Sequence, residues 1–231
     1  MATISKRAVF ALAALTIGSF SLAACSSSAP SGEGSDSGDS GSGSAPAEPE
    51  SYTVLSTDEL GAVLEGAGLT LLPQDQVEQA AGAATSGYDS VEPAECAPLF
   101  EQTSLLTDGA SVAMGTQDES MVLAGAFSYP DSSTIDSMFE VYSPEAIAAC
   151  PEYTATLDGQ TATGTVETVD VTIPGADSVI AINESASVSG MDVSTSRVIA
   201  SKDGVLVNAT AMSGDADAAT ALVTELVAAL P

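Results

Sequence analysis

The chain has 231 residues with 32 acidic side chains, only 4 lysines and arginines, and no histidine, so its net charge is −28. Such a surface repels the phosphate backbone, which excludes nucleic acid as a partner. The lack of histidine excludes a Ser-His-Asp triad, and the scarcity of cations leaves little to stabilise a charged transition state. We therefore expect a protein that is not an enzyme and that uses no cofactor and no metal.

Residues 1–24 are predicted to form an export signal. Lys6 and Arg7 give a positive head, and the alanine-rich apolar stretch behind them is too short to span a bilayer well. The stretch ends in Leu-Ala-Ala-Cys at 22–25, which resembles the bacterial lipobox, whose cysteine sulfur receives a diacylglyceryl group. We expect Cys25 to be lipidated and to anchor the protein on the extracytoplasmic face of the cell membrane. The alternative is an ordinary export signal in which this cysteine is incidental.

Residues 25–51 are predicted to be the lipidated cysteine and a disordered tether. Positions 26–51 are mostly serine, glycine, proline, alanine and acids, and they hold no large aliphatic or aromatic side chain. They cannot bury enough apolar surface to offset the entropy of ordering, and as a coil they span roughly 30 Å. Residues 52–231 remain, and they are enough for a single folded domain with its own core.

Two cysteines remain after the lipidated one, and they are predicted to pair. An export compartment permits disulfides, so a bond between Cys96 and Cys150 is the simplest use of the two thiols. On the chain-entropy account, closing a loop of this length contributes about 4 kcal/mol. The alternatives are two free thiols or a metal site, which without histidine would need carboxylates to complete it.

The first half of the domain is predicted to be mostly helical. A capping box at 56–59 opens the first helix, whose apolar side runs to Ala67, and Ser143 with Pro144 caps the last short one. The predicted helices are 56–67, 71–81, 98–104, 131–141 and 143–150, and two paired strands, 110–116 and 120–129, lie between the third and fourth helices.

The second half is predicted to be mostly strand. Apolar and polar residues alternate at 169–173 and 205–211, and Asp158-Gly159 and Asp203-Gly204 have the composition of tight hairpin turns. A final helix over 215–230 carries an apolar stripe that fits packing against a sheet. The fold class is therefore α+β, with a largely antiparallel sheet of about five to seven strands and helices on one side.

Four stretches come in an order that resembles a known family. They are Leu-Leu-Pro-Gln-Asp-Gln-Val-Glu at 71–78, Pro-Ala-Glu-Cys at 93–96, the strand 122–129, and the helix that ends at Cys150. The order is similar to the extracytoplasmic sensor domain of PknH-type serine/threonine kinases and of related lipoproteins, over roughly residues 56–231. The resemblance implies an antiparallel sheet cupped by helices, a cleft for a small ligand, and no catalytic residues.

The chain departs from that family in two respects. The family's sensor domain has two disulfides, whereas this chain has cysteines for one after Cys25. Relatives often carry a tryptophan near the second cysteine, and this chain has no tryptophan. The second departure means that a family pocket lining cannot be transferred to this sequence, so the ligand-binding residues stay unassigned.

Two groups of side chains are candidates for a binding site. Arg197 and Lys202 flank one predicted strand and could clamp an anion, although pairing with neighbouring carboxylates is the interpretation we favour. Four aromatic residues could line an apolar pocket, although the spacing of the last three also fits core packing; they are Tyr88, Phe127, Phe139 and Tyr142.

Two functions are compatible with these patterns. The first is a tethered binding module that captures a small apolar or neutral envelope molecule in a cleft between sheet and helices. It predicts a concave, mostly apolar pocket of a few hundred cubic ångströms. The second is an interaction lipoprotein that docks on another cell-envelope protein. It predicts an exposed apolar patch and no cavity.

Overall fold

The computed structural model describes residues 50–77, 88–100, 109–117, 121–157 and 159–231. The predicted export signal, the lipidation site at Cys25 and nearly all of the predicted tether lie outside these residues, as do the ends of the predicted helices 71–81 and 98–104. Within the described segments, no helix is long and apolar enough to cross a membrane.

A single antiparallel sheet of nine strands forms the centre of the described structure. Its spatial order is β1-β3-β4-β9-β8-β7-β6-β5-β2. The strands are β1 (Thr70–Leu71), β2 (Ser90–Glu92), β3 (Ser111–Gln117), β4 (Val122–Ser128), β5 (Glu152–Leu157), β6 (Gln160–Thr168), β7 (Ser178–Val188), β8 (Met191–Lys202) and β9 (Val205–Ala211). The predicted α+β class is confirmed, but the predicted count of five to seven strands is wrong. Both edge strands, β1 and β2, are too short to show an alternating pattern in the sequence.

Among the described residues, five α-helices accompany the sheet, besides the first turn of another at 74–77. They are α1 (Thr57–Gly66), α2 (Ala97–Phe100), α3 (Ser133–Val141), α4 (Pro144–Ala149) and α5 (Ala216–Ala229). The predicted capping box is present at α1: the Glu59 amide donates to the Ser56 hydroxyl, and the Ser56 amide donates to the Glu59 carboxylate at 2.8 Å. Ser143 caps α4 in a similar way, with a hydrogen bond from the Ala146 amide.

Two predicted helix starts are corrected by the structure. Leu71 belongs to the edge strand β1, and the Leu72 amide still donates to the Met114 carbonyl, so the helix begins only at 74. A 3-10 turn over Ala94–Cys96 leads directly into α2, which therefore starts one residue before Pro98. Proline is tolerated there because the first turn of a helix needs no amide donors.

The predicted strand at 169–173 is wrong. The pairing of β6 with β7 ends at Thr168 opposite Ile182, and the Val169 amide adds one hydrogen bond to the Ala181 carbonyl. The segment then leaves the sheet and buries Ile173 in the core beside α5. The alternation of apolar and polar residues here reflects which side chains face the core. A hydrophobic pattern cannot show whether the backbone also pairs with a neighbouring strand.

Helices cover both faces of the sheet, which corrects the prediction that they lie on one side. On the α1/α5 face, Val198, Val207 and Ala209 pack with the apolar sides of α1 and α5. On the opposite α3/α4 face, the side chains of the intervening residues, such as Ile199 and Leu206, pack with α3. The side-chain period of two therefore gives the central strands β8 and β9 an apolar surface on both faces.

Tight two-residue turns join β5 to β6, β7 to β8 and β8 to β9. Asp203 and Gly204, between β8 and β9, have φ angles of 48° and 79°, as a type I′ hairpin requires, so this predicted turn is confirmed. Leu157 and Gln160 pair across the other predicted turn, where Gly159 has a φ of 73° and Asp158 lies outside the described residues. A third turn, Ser189-Gly190 between β7 and β8, was not predicted.

Candidate functional site

The helices leave part of the sheet uncovered on the α1/α5 face. α1 and α5 pack against β3, β4, β8 and β9. Beyond them, this face of β5, β6, β7 and the start of β8 carries serine, threonine and acidic side chains, among them Thr163, Thr165, Ser185 and Ser194, all exposed. A broad open hollow of about 1300 Å³ lies over this polar surface.

A small, partly enclosed pocket lies behind the same strands, on the α3/α4 face. Its volume is about 30 Å³. We call it the aromatic pocket; its walls are Tyr88, Phe100, Tyr153, Ala155, Ala162, Glu184, Ala186, Val188, Val193 and Thr195. β5, β6, β7 and β8 supply its floor, and the segment from Tyr88 to Phe100 forms its outer wall.

Small residues that lie opposite one another on neighbouring strands make room for the aromatic pocket. Ala155 pairs with Ala162, and Gly164 pairs with both Tyr153 and Ala186 on its two neighbouring strands. The Tyr153 ring lies across Gly164: a methyl group there would come within 2.7 Å of the ring carbon Cζ. Glycine is therefore required at 164 for the ring to come this close to the strand, an arrangement typical of strand glycines where another group approaches closely.

Three aromatic rings follow one another along the pocket. The Tyr88 and Phe100 rings are in edge contact, with centroids 5.5 Å apart and planes at 84°. The Phe100 and Tyr153 rings are tilted by 53°, with centroids 4.5 Å apart. Both separations fall in the favourable range for aromatic pairs, so Phe100 links the outer wall to the sheet.

Glu184 is the single carboxylate among the described residues that line the pocket. Its carboxylate accepts a hydrogen bond from the Tyr153 hydroxyl. Burial, followed by the charge of Glu184 and its hydrogen bond, raises the pKa of Tyr153 above its ordinary value. Burial and the same carboxylate raise the pKa of Tyr88 to about 12, against the weaker opposing effect of Arg197. Both phenols therefore stay neutral donors around a carboxylate at physiological pH.

Thr195 lies directly opposite Glu184 in the β7–β8 register. Its side chain is 4% exposed and forms part of the pocket wall. Among the described residues, no hydrogen-bond partner for its hydroxyl is found. A buried hydroxyl without a partner is uncommon in proteins, because desolvation without a compensating hydrogen bond is costly.

Cys96 and Cys150 lie at disulfide distance beneath this pocket, with Cα atoms 5.1 Å apart. Both are fully buried and pack in one core with Leu99, Ile147 and Tyr153. A bond between them would fix the turn before α2 to the end of α4. It would therefore hold the outer wall of the pocket, which includes Phe100, against the sheet.

The anion clamp, the interpretation that we did not favour for Arg197 and Lys202, is not formed, because the two cations lie on opposite faces of β8. Arg197 points to the α3/α4 face, where it donates to the Tyr142 hydroxyl at 3.4 Å. The Lys202 ammonium lies on the other face and donates to the Leu230 carbonyl at the end of α5, at 2.9 Å. A cation at a helix C-terminus compensates the free carbonyls there, which assigns Lys202 a structural role.

The four predicted aromatic candidates divide between core and pocket. Phe127 is buried against α3, and Phe139 and Tyr142 pack between the two cores of the α3/α4 face, which confirms the core interpretation for these three. Tyr88 lies in the wall of the aromatic pocket. Phe100, Tyr153, Glu184 and Thr195 were not predicted as site residues.

Other possible sites are less enclosed. A hollow of about 420 Å³ lies between the start of the domain and its last residues, lined by Tyr52, Lys202 and Pro231 among others. Within the described part of the chain, no group of three or more histidine, cysteine or acidic side chains could hold a metal ion.

Comparison with solved structures finds fold likeness at low identity. The extracellular domain of PknH from Mycobacterium tuberculosis is 15% identical, with a TM-score of 0.45, over 77% of this chain and 98% of that one. An uncharacterized protein from Mycobacterium smegmatis, an Rv0999 ortholog, is 18% identical, with a TM-score of 0.40, over 61% of this chain and 75% of that one. No family model and no curated protein matches the chain. The predicted resemblance to PknH-type sensor domains is confirmed as a weak likeness of fold, and it carries no argument about function.

Proposed function

We propose that this chain is a lipoprotein anchored through Cys25 to the outer face of the cell membrane, with a non-catalytic domain that binds a small envelope molecule. The anchor is supported by the export signal, the lipobox at 22–25 and the polar tether behind it. We keep the domain boundaries that were predicted from the sequence. Residues 1–24 are the export signal, residues 25–51 are the lipidated cysteine and tether, and residues 52–231 are the binding domain.

The aromatic pocket is the observation that carries the binding role. It combines apolar walls with a few convergent polar groups, the composition typical of small-molecule sites. At about 30 Å³ it is far smaller than the few hundred cubic ångströms expected from the sequence, so it can hold only part of a ligand. The rest of the molecule would extend past the rings of Tyr88 and Phe100 towards solvent.

A non-catalytic role fits the chemistry of this pocket. Glu184 accepts a hydrogen bond from a phenol, and the described residues of the pocket wall include no second carboxylate that could form with it a pair of the kind that hydrolyses glycosides. The alternative function, docking on another envelope protein, has less support. Over the described surface, the exposed large hydrophobic residues are Met121 and Met191, which lie at the ends of different hairpins.

Native mass spectrometry of the full chain purified from its own membrane tests the proposal. We expect a mass that includes acyl groups on Cys25 and a further small molecule that dissociates on activation. Cys25→Ser is the matched control and should lack the acyl mass. An unmodified chain recovered from the cytosol would contradict the anchor. A ligand-free lipoprotein that copurifies with another protein would contradict the binding role and favour docking.

A further inference from the structure

We propose that the aromatic pocket recognises the ammonium head of a small primary amine, with Glu184 as the counter-ion and Tyr88, Phe100 and Tyr153 as aromatic walls. The inference rests on the proposed function and names the ligand class. It replaces the apolar or neutral ligand expected from the sequence, because the pocket holds a carboxylate.

Charge is the first reason. Among the described residues, Glu184 is the single charged group in the pocket wall. Arg197 lies outside that wall, on the same face of β8 two positions beyond Thr195, where it donates to Tyr142. The chain as a whole carries a charge of −28. A field of this sign raises the local concentration of cations and repels anions, so both the local and the overall charge favour a positively charged ligand.

The aromatic walls are the second reason. A cation near the face of a tyrosine or phenylalanine ring is attracted by the negative charge of the ring face, and groups of such rings recognise alkylammonium ions. Here Phe100 contacts the rings of Tyr88 and Tyr153, with centroid separations of 5.5 Å and 4.5 Å, and the three rings line one pocket with the carboxylate. A neutral apolar ligand would leave the carboxylate without a new partner, whereas an ammonium group would satisfy it.

Hydrogen bonding is the third reason. A primary ammonium has three donors and no acceptor. Glu184 accepts one hydrogen bond from Tyr153 and keeps further acceptor capacity, and the buried hydroxyl of Thr195 across the strand pair supplies another acceptor. The ligand's ammonium would therefore give the Thr195 hydroxyl the partner that the described residues do not provide.

Size sets the limit on the head group. A cavity of about 30 Å³ is only a few times the roughly 10–15 Å³ that one water molecule needs, so a primary ammonium fits and a bulky quaternary one does not. The alkyl part of the amine would lie along Tyr88 and Phe100 and leave the pocket.

Binding of ethylammonium chloride to the full chain in detergent micelles, followed by ligand-observed NMR, tests the proposal. Ethylammonium should bind, whereas ethanol, its neutral counterpart, and tetraethylammonium should not. Glu184→Gln should weaken binding about tenfold, because it converts a charge-assisted hydrogen bond to a neutral one. Glu167→Gln is the matched control: it removes one negative charge from an exposed site on the opposite face of the sheet and should leave the affinity unchanged.

Two further variants make the test independent of folding defects. Tyr153→Phe keeps the ring and frees the carboxylate, so it should retain ethylammonium binding. Phe100→Leu removes one ring and should weaken binding roughly threefold or more. Equal binding of ethanol and ethylammonium, or equal loss in Glu184→Gln and Glu167→Gln, would overturn the inference. If amines fail to bind while native mass spectrometry still finds a small molecule on the chain, this inference falls and the proposed function stands.

Discussion

The two halves of the sheet differ in what covers them. Around β4 and β9, both faces are apolar, with α1 and α5 on one side and α3 on the other. Around β5 and β6, one face is exposed and polar, and the other encloses a pocket lined by small residues. Stability comes mainly from apolar surface removed from water, so we expect the half around β4 and β9 to contribute most of the stability of the fold. The half around β5 and β6 has side chains that are not used in the core and that can contact a ligand.

The predicted disulfide gives the largest expected effect, because it is the covalent link of the half around β5 and β6. Replacing both Cys96 and Cys150 by alanine should lower the free energy of unfolding by about 4 kcal/mol, measured by urea denaturation of the full chain. Thiol titration of the unfolded, unreduced lipoprotein should find no free thiol. Two free thiols would contradict the bond, and a double variant as stable as the parent would contradict its role.

The next prediction shortens one core side chain in the half of the sheet that is covered on both faces. Leu226 of α5 is fully buried, so Leu226→Ala should cost about 2–5 kcal/mol through lost burial and the cavity left behind. Thr163→Ala, on the exposed face of β6, should change stability by no more than about 0.5 kcal/mol. Comparable losses in the two variants would show that the halves do not differ in the way proposed here.

A methyl group at Gly164 tests the construction of the pocket. It would lie 2.5 Å from the Ser185 carbonyl oxygen and 2.7 Å from the Tyr153 ring, so the ring has to move. We expect Gly164→Ala to cost about 1–3 kcal/mol by overpacking and to reduce ethylammonium binding at the same time. Gly66→Ala, at an exposed position of α1 with open space around it and no positive φ, is a control for glycine replacement outside the pocket. Unchanged stability and binding in Gly164→Ala would contradict the close approach.

Ionisation of the tyrosines has no effect near neutral pH and lowers stability only at high pH. The pKa of Tyr88 is raised from an ordinary 10.0 to about 12 by burial and by Glu184, so the folded state holds its proton longer than the unfolded state does. The stability from this neutral phenol is therefore full below pH 10.0 and is lost as the pH rises through about 12. Burial also raises the pKa values of Tyr129 and Tyr153.

Tyrosinate absorbance can follow this ionisation cleanly, because the chain has 5 tyrosines and no tryptophan. We expect Tyr88, Tyr129 and Tyr153 to ionise only together with unfolding, whereas in denaturant every tyrosine should titrate near its ordinary value. Ionisation of all five near that value, with the native circular dichroism spectrum retained, would contradict the burial of these phenols.

The sequence predicted the parts of the fold whose cause is local. The capping box of α1 and the Asp203-Gly204 turn depend on residues within four positions of each other, and both were found. The strand at 169–173 failed because its alternation has the same period as a strand but follows burial against α5. The edge strands β1 and β2 have too few residues to carry any pattern, so the width of the sheet was underestimated.

The pocket could not be predicted because its residues meet only through the register of several strands. Tyr153 and Glu184 are 31 positions apart and come together when β6 pairs with both β5 and β7. One signal was present in the sequence. Glu184 occupies a core-facing position in the alternation that runs from Ile180 and Ile182 to Val188, where a carboxylate needs a specific partner.

Amide hydrogen exchange of the full chain, with and without ethylammonium chloride, tests the division between the two halves most directly. The account predicts the slowest exchange in β4, β8 and β9, and added protection by the amine confined to β5, β6, β7 and the start of β8. Protection by the amine in β4 and β9, or the fastest strand exchange in those central strands, would contradict it.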